Sequence, residues 1–182
     1  MLLGAHNPSG KLPISFPRSV GQIPTYYNHP RLGRPYAEGR PGNYTSQYFD
    51  EPNGALYPFG YGLSYTEFEL SKPQLSRRAL KRGQNLEVSV TVKNIGARAG
   101  ATVVQLYLQD LVGSSVRPVK ELKRFEKLML EPGEARTVRF VLVESDLKFH
   151  DAKLDYVAEP GEFEVQLGLD SQKVLSERFE LL

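Results

Sequence analysis

The chain of 182 residues contains no cysteine and no tryptophan, and its 23 Lys and Arg nearly balance its 21 Asp and Glu. Without cysteine, a disulfide framework, a thiolate nucleophile and a zinc ribbon are excluded. A net charge of +2 is too small to require nucleic acid or an anionic membrane as a partner. No apolar run approaches the roughly 18 residues of a transmembrane helix. The polar residues that soon follow Leu2 and Leu3 also argue against a secretory signal. What remains is a tyrosine-rich, nearly neutral chain, long enough for one domain with an extension.

The composition changes after residue 65. The first 65 residues contain nine of the 13 prolines, nine of the 16 glycines and eight of the ten tyrosines, whereas residues 66–182 carry 18 charges of each sign. Proline and glycine interrupt the first part so often that no helix or strand of ordinary length is predicted there. Its aromatic content is too high for typical disorder. We therefore expect residues 1–65 to form an irregular arm that packs on something else, which need not lie in this chain.

Residues 66–182 alternate between apolar and polar positions in the manner of β-strands. Seven short strands in 117 residues are typical of an immunoglobulin-like or fibronectin type III-like sandwich. The fold class predicted is therefore all-β, with a sandwich of about seven strands after the irregular arm. The predicted strands are 68–75, 86–93, 104–109, 120–130, 138–142, 163–169 and 174–181.

Turn residues stand at nearly every interruption of this alternation. At 94–96 we expect a turn in which Asn and Gly tolerate positive φ. The sequence Glu-Pro-Gly-Glu occurs at 131–134 and again at 159–162, and it suits a type II turn before each following strand. Broken alternation predicts a bulge near residues 123–124. Helical periodicity is weak and limited to 144–149, where a single turn is expected.

The sequence offers no convincing catalytic group. His6, His29 and His150 lie far apart, and none has a ligand-like neighbour at metal spacing. No Ser-His-Asp order, nucleophile elbow or phosphate loop is present. Asp50 and Glu51 could be drawn as an acid/base pair, but adjacent carboxylates favour a role in a loop. We predict no catalytic, metal-binding or cofactor-binding residue in this chain, and no cofactor; a substrate-binding residue is not identified.

The tyrosines of the first part allow two interpretations. Aromatic rings stack on sugars, and tyrosine is also enriched at protein interfaces. Docking on another protein surface is favoured, but stacking stays open. Residues 43–45 match the N-glycosylation pattern, which carries little weight alone, and the basic cluster at 77–82 fits a solvated loop. The tyrosines concerned are Tyr26, Tyr27, Tyr36, Tyr44, Tyr48 and Tyr57.

Two strings resemble a known family. Residues 7–17, NPSGKLPISFP, resemble the stretch near the end of the second catalytic domain of family 3 glycoside hydrolases. Residues 57–65, YPFGYGLSY, resemble that family's junction into its C-terminal fibronectin type III-like domain. The strings NIG, VQLY, RPVKEL, PGE and PGEF follow in the family's order, so the resemblance covers essentially the whole chain. Within the family it is greatest to periplasmic β-glucosidases of Gram-negative bacteria.

The resemblance implies that residues 1–65 are the tail of an α/β domain with its linker, and that residues 66–182 are the fibronectin type III-like sandwich. The family's nucleophile is an aspartate in a Ser-Asp-Trp-like motif, and this chain has no Trp. The acid/base glutamate lies upstream of residues 7–17, so neither catalytic position has a counterpart here. Arg124, where the family often has Gly, and His150, near which it often has an aromatic residue, depart from the pattern.

The function implied is that of an accessory portion of a β-glucosidase, catalytically silent alone, with the parent's catalytic domains as partner and a periplasmic or secreted location. A glucoside would be reached only through that parent, and neither nucleic acid nor membrane is expected. The alternatives are a freestanding carbohydrate-binding module that stacks sugars on Tyr26, Tyr44 and Tyr48, and a protein-interaction module. Residues 1–65 are expected to be sensitive to proteolysis or to adopt a makeshift packing, for example by self-association through exposed aromatic rings.

Overall fold

The computed structural model describes residues 3–31, 33–34 and 44–182, and within them strands make up nearly all of the regular structure. The described part of the arm contains only a 3-10 turn at Val20–Gln22. The other elements are β1 (Phe68–Leu70), β2 (Gln74–Leu75), β3 (Ala79–Leu80), β4 (Leu86–Asn94), β5 (Gly100–Asp110), β6 (Glu121–Leu130), β7 (Ala135–Leu142), α1 (Glu144–Leu147), β8 (Phe149–His150), β9 (Tyr156–Val157), β10 (Gly161–Gly168) and β11 (Val174–Leu181).

Two sheets form the predicted sandwich. In the smaller sheet, β4 is central, with β7 along one edge and both β1 and β2 along the other, all antiparallel to β4. The larger sheet has the order β3-β11-β10-β5-β6, in which only the short β3–β11 pair is parallel. A separate pair, β8 with β9, stands beside them. The all-β sandwich is confirmed.

The hydrophobic core lies between the two sheets, because the apolar positions of each strand face one another. Val88, Val90 and Val92 of β4 are essentially inaccessible to solvent, as are Leu106 of β5 and Val165 of β10. Alternate positions of β4 and β7 are half-buried or exposed. Burial of each fully enclosed Val or Leu side chain contributes about 1.5 to 3 kcal/mol.

All seven predicted strands occur, and the first of them is divided. Residues 71–73 separate β1 from β2, and Pro73 at this point lacks the N–H that a ladder requires. The chain keeps its place on β4 through backbone hydrogen bonds from Ser71 to Thr91 and from Ser76 to Glu87. The short strands β3, β8 and β9 were not predicted, because two residues carry too little pattern.

The two Glu-Pro-Gly-Glu sequences have different conformations. At 131–134, Gly133 has a φ of 77° and the Glu134 N–H donates to the Glu131 carbonyl at 3.0 Å, so the predicted type II turn is confirmed. At 159–162 the prediction of a second such turn is wrong. Gly161 has a φ of 153° and already pairs with Leu181 as the first residue of β10. Both sequences precede a strand, but only the first reverses the chain.

The reason given for the break at 94–96 is also wrong, because neither Asn94 nor Gly96 has a positive φ. Asn94 ends β4 fully buried, and its amide donates to the carbonyls of Arg98 and Leu130. Its side-chain oxygen accepts from the Thr66 hydroxyl and the Gly96 N–H. A Cβ on Gly96 would collide with Thr66. Asn94 is therefore needed for a buried hydrogen-bond network, and Gly96 for the close approach of its backbone to Thr66.

Two smaller predictions are confirmed. The β5–β6 register shifts so that Leu106 pairs with Arg124 and Tyr107 with Leu122, which leaves Lys123 as the extra residue of a bulge. The predicted helical turn is α1, and the carboxylate of Asp146 accepts from the N–H of Val143 at its start.

Candidate functional site

The described part of the arm covers the outer face of the larger sheet. Tyr107 of β5 points away from the core that its neighbours Leu106 and Leu108 enter, yet it is 0% exposed. The ring of Tyr27 lies edge-on to the Tyr107 ring, with centroids 5.6 Å apart, and Phe59 stacks on Tyr27 at 4.5 Å. The arm therefore forms a second apolar layer on the sandwich of its own chain. From the sequence alone, we expected the arm to pack on a surface that need not lie in this chain.

A polar network lies beneath this aromatic layer. The Tyr107 hydroxyl donates to the side-chain carbonyl of Gln105, whose amide donates to the Leu169 carbonyl at 3.1 Å. Burial, followed by the nearby phenol of Tyr27, raises the pKa of Tyr107. Gly60 of the arm passes so close to Gln105 that a Cβ would collide with its amide group. The arm and the sheet are thus fitted to each other at contact distance.

Backbone hydrogen bonds join the arm to two loops of the sandwich. The N–H of Ser171, between β10 and β11, donates to the Phe59 carbonyl at 2.9 Å. The N–H of Val119, between β5 and β6, donates to the His29 carbonyl at 2.9 Å. The Tyr27 hydroxyl accepts from the N–H of Leu122 at 3.3 Å. These bonds fix the middle of the arm.

Asn7 holds the beginning of the arm to its end. The side-chain amide donates to the Ala99 carbonyl at 2.9 Å, and its oxygen accepts from the Ser64 hydroxyl and the Tyr65 N–H at 3.0 and 2.8 Å. Further along, residues 12–16 pair with residues 57–61 through backbone hydrogen bonds. The first residues of the arm are therefore bonded to its last residues, next to the edge of the sandwich.

A cleft of about 830 Å³, which we call the tyrosine cleft, opens between the arm and the sandwich. Tyr26 and Tyr48 supply half-exposed rings, and Gln47 and Gln172 supply amides. Lys120 stands at the sandwich wall, where its ammonium donates to the Ser171 carbonyl at 2.9 Å. Burial lowers the pKa of Lys120, while Glu164 and Asp170 act in the opposite direction. The lining comes mainly from residues 22–30, 46–48, 53–55, 119–120 and 171–172.

The structure brings together only part of the tyrosine set that the sequence singled out. Tyr26 and Tyr48 share the cleft, but Tyr44 lies outside its lining, with the guanidinium of Arg34 5.7 Å from its ring. Tyr57 contacts other rings of the arm. Tyr36 and Asn43, the residue of the glycosylation pattern, lie outside the described residues. The sequence did not identify Lys120 and Gln172 as residues of the cleft. They lie about 100 residues or more from Tyr26 in sequence, and no local pattern indicates so distant a contact.

The remaining candidates stay separate. His29 borders the tyrosine cleft, whereas the His150 ring is tilted against the Tyr156 ring, with centroids 4.9 Å apart. Asp50 is exposed and does not line the cleft, and one carboxylate oxygen of Glu51 is enclosed with no hydrogen-bond partner among the described residues. Within the described ranges, no three His, Cys, Asp or Glu residues are grouped closely enough to hold a metal ion.

The loop between β5 and β6 is braced by a buried ion pair. The guanidinium of Arg117 lies 3.4 Å from the carboxylate of Asp110 and 3.1 Å from that of Glu121, and 4.3 Å from the centroid of the Phe149 ring. Burial raises the pKa of Asp110, and the charge of Arg117 acts against that rise. These contacts of Arg117 hold in place the loop whose Val119 bonds to the arm.

No helix in the described segments is both long and apolar enough to cross a bilayer.

Comparison with known proteins identifies the class of protein. Residues 1–65 match the Glycosyl hydrolase family 3 C-terminal domain, and residues 102–171 match the Fibronectin type III-like domain. The chain therefore has the sequence and the fold of the C-terminal region of a family 3 glycoside hydrolase.

Within that family, the similarity extends to named β-glucosidases. The Periplasmic beta-glucosidase of Salmonella typhimurium is 57% identical over 182 residues, which are 100% of this chain and 24% of that protein. A Putative beta-xylosidase of Formosa agariphila is 42% identical over 100% of this chain and 23% of its own length. The crystal structure of a β-glucosidase from Listeria innocua in complex with isofagomine superposes with a TM-score of 0.93 at 50% identity, over 99% of this chain and 25% of that one. The chain spans about a quarter of the length of the relatives it matches.

Proposed function

We propose that this chain is the accessory C-terminal region of a retaining, periplasmic β-glucosidase and has no hydrolytic activity alone. The observation that carries the proposal is the 57% identity along the whole chain to one quarter of a periplasmic β-glucosidase. The complete enzyme hydrolyses terminal β-glucosyl residues through two carboxylates and a covalent intermediate. Both carboxylates belong to catalytic domains that precede this region, so the substrate is hydrolysed only there.

The two parts of the chain divide the work. Residues 1–65 are the tail of the preceding α/β domain with its linker, and residues 66–182 are the sandwich that this tail covers. In support, contacts of Tyr27, Asn7 and Phe59 tie the arm to the sandwich, which would hold its exposed surface in place for the preceding domain.

The arm presents apolar side chains that nothing in the described structure covers. Val20 is 84% exposed, Phe49 is fully exposed and Ile23 is largely exposed. Exposed apolar surface of this kind marks an interaction site in a water-soluble protein. We assign it to the catalytic domains, because relatives about four times as long contain a further body next to this region. Besides Tyr26 and Tyr48, which line the tyrosine cleft, 11 of the 23 large exposed apolar side chains in the described residues lie at or before residue 65, and this concentration supports docking through the arm.

Complementation tests the proposal. The Salmonella typhimurium relative, truncated to lack the region that this chain matches, is mixed with the intact 182-residue chain and assayed on an aryl β-glucoside. We expect no turnover from either part alone and recovered turnover from the mixture. Hydrolysis by this chain alone, or a mixture without activity or association, contradicts the proposal.

A pair of matched variants locates the contact. Phe49→Glu introduces a charge into the arm surface, so we expect association with the catalytic part to weaken about tenfold or more, since an unpaired buried charge costs several kcal/mol. Phe125→Glu makes the same change on β6 of the sandwich, where the side chain is 67% exposed, and should leave association unchanged. Equal effects of the two variants would contradict docking through the arm.

A further inference from the structure

The tyrosine cleft has the dimensions and the lining of a site for a small polar ligand. Its volume of about 830 Å³ lies within the roughly 300–1,000 Å³ of typical ligand pockets. Its walls come from segments far apart in sequence, since Tyr26 and Tyr48 lie on the arm while Lys120 and Gln172 lie on two loops of the sandwich. The cleft therefore exists only when the arm is packed on the sheet.

Internal hydrogen bonds fix the walls before any ligand arrives. The Gln22 amide donates to the Pro52 carbonyl at 2.9 Å. The Asn53 amide donates to the Ser46 carbonyl at 2.7 Å, and its oxygen accepts from the Tyr48 N–H at 3.0 Å. Across the cleft, Lys120 is tied to Ser171. A pre-formed wall reduces the entropy that binding costs.

Several polar groups of the lining have no partner in the described structure. The hydroxyls of Tyr26 and Tyr48 and the side-chain amides of Gln47 and Gln172 make no hydrogen bond to any described residue, although all four residues line the cleft. The lining therefore combines the half-exposed rings of Tyr26 and Tyr48 with hydroxyl and amide groups that can donate and accept hydrogen bonds. A pyranose ring, with an apolar face of C–H bonds and a rim of hydroxyls, complements that arrangement.

The charge of the lining selects among polar ligands. No Asp or Glu is among the described residues that line the cleft, and its one lysine, Lys120, is already bonded to Ser171. The described lining therefore offers no free cation cluster to a phosphate and no carboxylate to a cationic ligand. We propose that the tyrosine cleft binds a neutral saccharide unit, in contact with the rings of Tyr26 and Tyr48 and hydrogen-bonded by the amides of Gln47 and Gln172.

Titration of the isotope-labelled 182-residue chain with cellobiose tests this inference without the catalytic domains, so its failure is separate from that of the proposed function. Amide signals are followed to about 50 mM sugar, above the ~1 mM scale of weak affinity. We expect saturable shifts centred on Tyr48, Lys120 and Gln172. Sorbitol, an open-chain polyol without a ring face, should produce none. Absence of saturable shifts with cellobiose, or equal shifts with sorbitol, overturns the proposal.

Single variants assign the binding to the rings. Tyr26→Ala and Tyr48→Ala should each weaken the apparent affinity about two- to tenfold, because each change removes one aromatic contact to the sugar. The Phe replacements keep the ring and should retain most of the affinity, which also separates loss of binding from loss of fold. Tyr44→Ala removes a tyrosine outside the cleft and should leave the affinity unchanged. Equal losses in Tyr26→Ala and Tyr44→Ala, or none in either cleft variant, contradict the proposed site.

Discussion

The ring of Tyr27 meets the ring of Tyr107 edge-on, with 5.6 Å between their centroids, and this contact joins the irregular arm to the sandwich. Tyr107 lies on the face of β5 opposite the core and is 0% exposed, and its ring is contacted there by Tyr27 of the arm and by Lys120 of the loop between β5 and β6. A residue without solvent access on an outer face shows that the arm contributes a layer of its own. The arm and the sandwich should therefore lose their structure together rather than in sequence.

Replacing Tyr27 by alanine tests this coupling. Because Tyr27 also stacks on Phe59, the change removes two ring contacts and should lower the free energy of unfolding by about 2–4 kcal/mol. Tyr27→Phe keeps both ring contacts and should lower the free energy of unfolding by about 1 kcal/mol, because the N–H of Leu122 loses its acceptor, the Tyr27 hydroxyl. Urea denaturation, followed by near-ultraviolet circular dichroism, measures both values.

The control is Tyr44→Ala, which removes a side chain that is 82% exposed and should change stability by less than about 0.5 kcal/mol. A Tyr27→Ala variant as stable as the Tyr44→Ala variant would show that the arm contributes nothing to the folded sandwich.

Asn7 should be needed to hold the first residues of the arm. Asn7→Ala removes one donor and one doubly used acceptor, so we expect a loss of about 1–3 kcal/mol. Hydrogen exchange adds a local measurement, because the Tyr65 N–H that donates to Asn7 should exchange faster in the variant. Asn28 is exposed, and Asn28→Ala is the matched control. Unchanged exchange at Tyr65 in Asn7→Ala would contradict this role.

The sandwich was predictable from sequence because its information is local. Alternation along residues 86–93 and 174–181 directly reports which side chains enter the core, and a Pro-Gly pair at 132–133 suits a turn in isolation. The same reasoning failed at 159–162, because pairing with Leu181 of β11 makes Gly161 the first residue of a strand. Tertiary contacts there overrode the turn preference of Pro-Gly.

The candidate site was only partly predictable, because the arm creates it over long sequence separations. Alternation places Tyr107 opposite the core and does not reveal that Tyr27 covers it. Likewise, the composition identified Tyr26 and Tyr48 as candidates for stacking, but only the fold separates them from Tyr44. Asn94 shows the same limit, since a network with Thr66 and Leu130 explains a residue that local rules assign to a turn.

The ion pair between Arg117 and Asp110 should be costly to break from one side. Their side chains are only 9% and 5% exposed, so Arg117→Ala should lower stability by about 3 kcal/mol at pH 7, since it leaves a buried carboxylate uncompensated. In the Asp110→Asn, Arg117→Ala double variant the loss should be smaller than the sum of the single losses. Thermal unfolding of the four proteins of this cycle measures the coupling.

The pH dependence of that cycle has a defined sign. Burial raises the pKa of Asp110, and removal of Arg117 takes away the charge that opposes the rise. A folded state that holds its proton more tightly than the unfolded chain gains stability as the pH falls through the raised pKa. The deficit of Arg117→Ala should therefore shrink on acidification. Arg178→Ala, which removes the 61% exposed partner of Glu164, is the control and should cost no more than about 1 kcal/mol.

Alkaline pH should destabilise the protein through Tyr107. Its pKa is raised above the usual tyrosine range, first by burial and then by the charges of Tyr27 and Asp170. The unfolded chain releases this proton near pH 10, whereas the folded protein keeps it, so stability is fully present below pH 10 and declines above it. The slope from this one proton is about 1.4 kcal/mol per pH unit.

Tyr107→Phe separates this linkage from the other titrating groups. At pH 7 the variant should be less stable by about 1–3 kcal/mol, because the side-chain oxygen of Gln105 loses its donor. Between pH 10 and 12, however, its free energy of unfolding should fall less steeply with pH than that of the unmodified protein. The two slopes should differ by the contribution of one proton. Urea titrations at three alkaline pH values give both slopes, and tyrosinate absorbance reports the proton directly. Parallel slopes would mean that Tyr107 ionises in the folded state, and that the arm does not keep this face of the sheet dry.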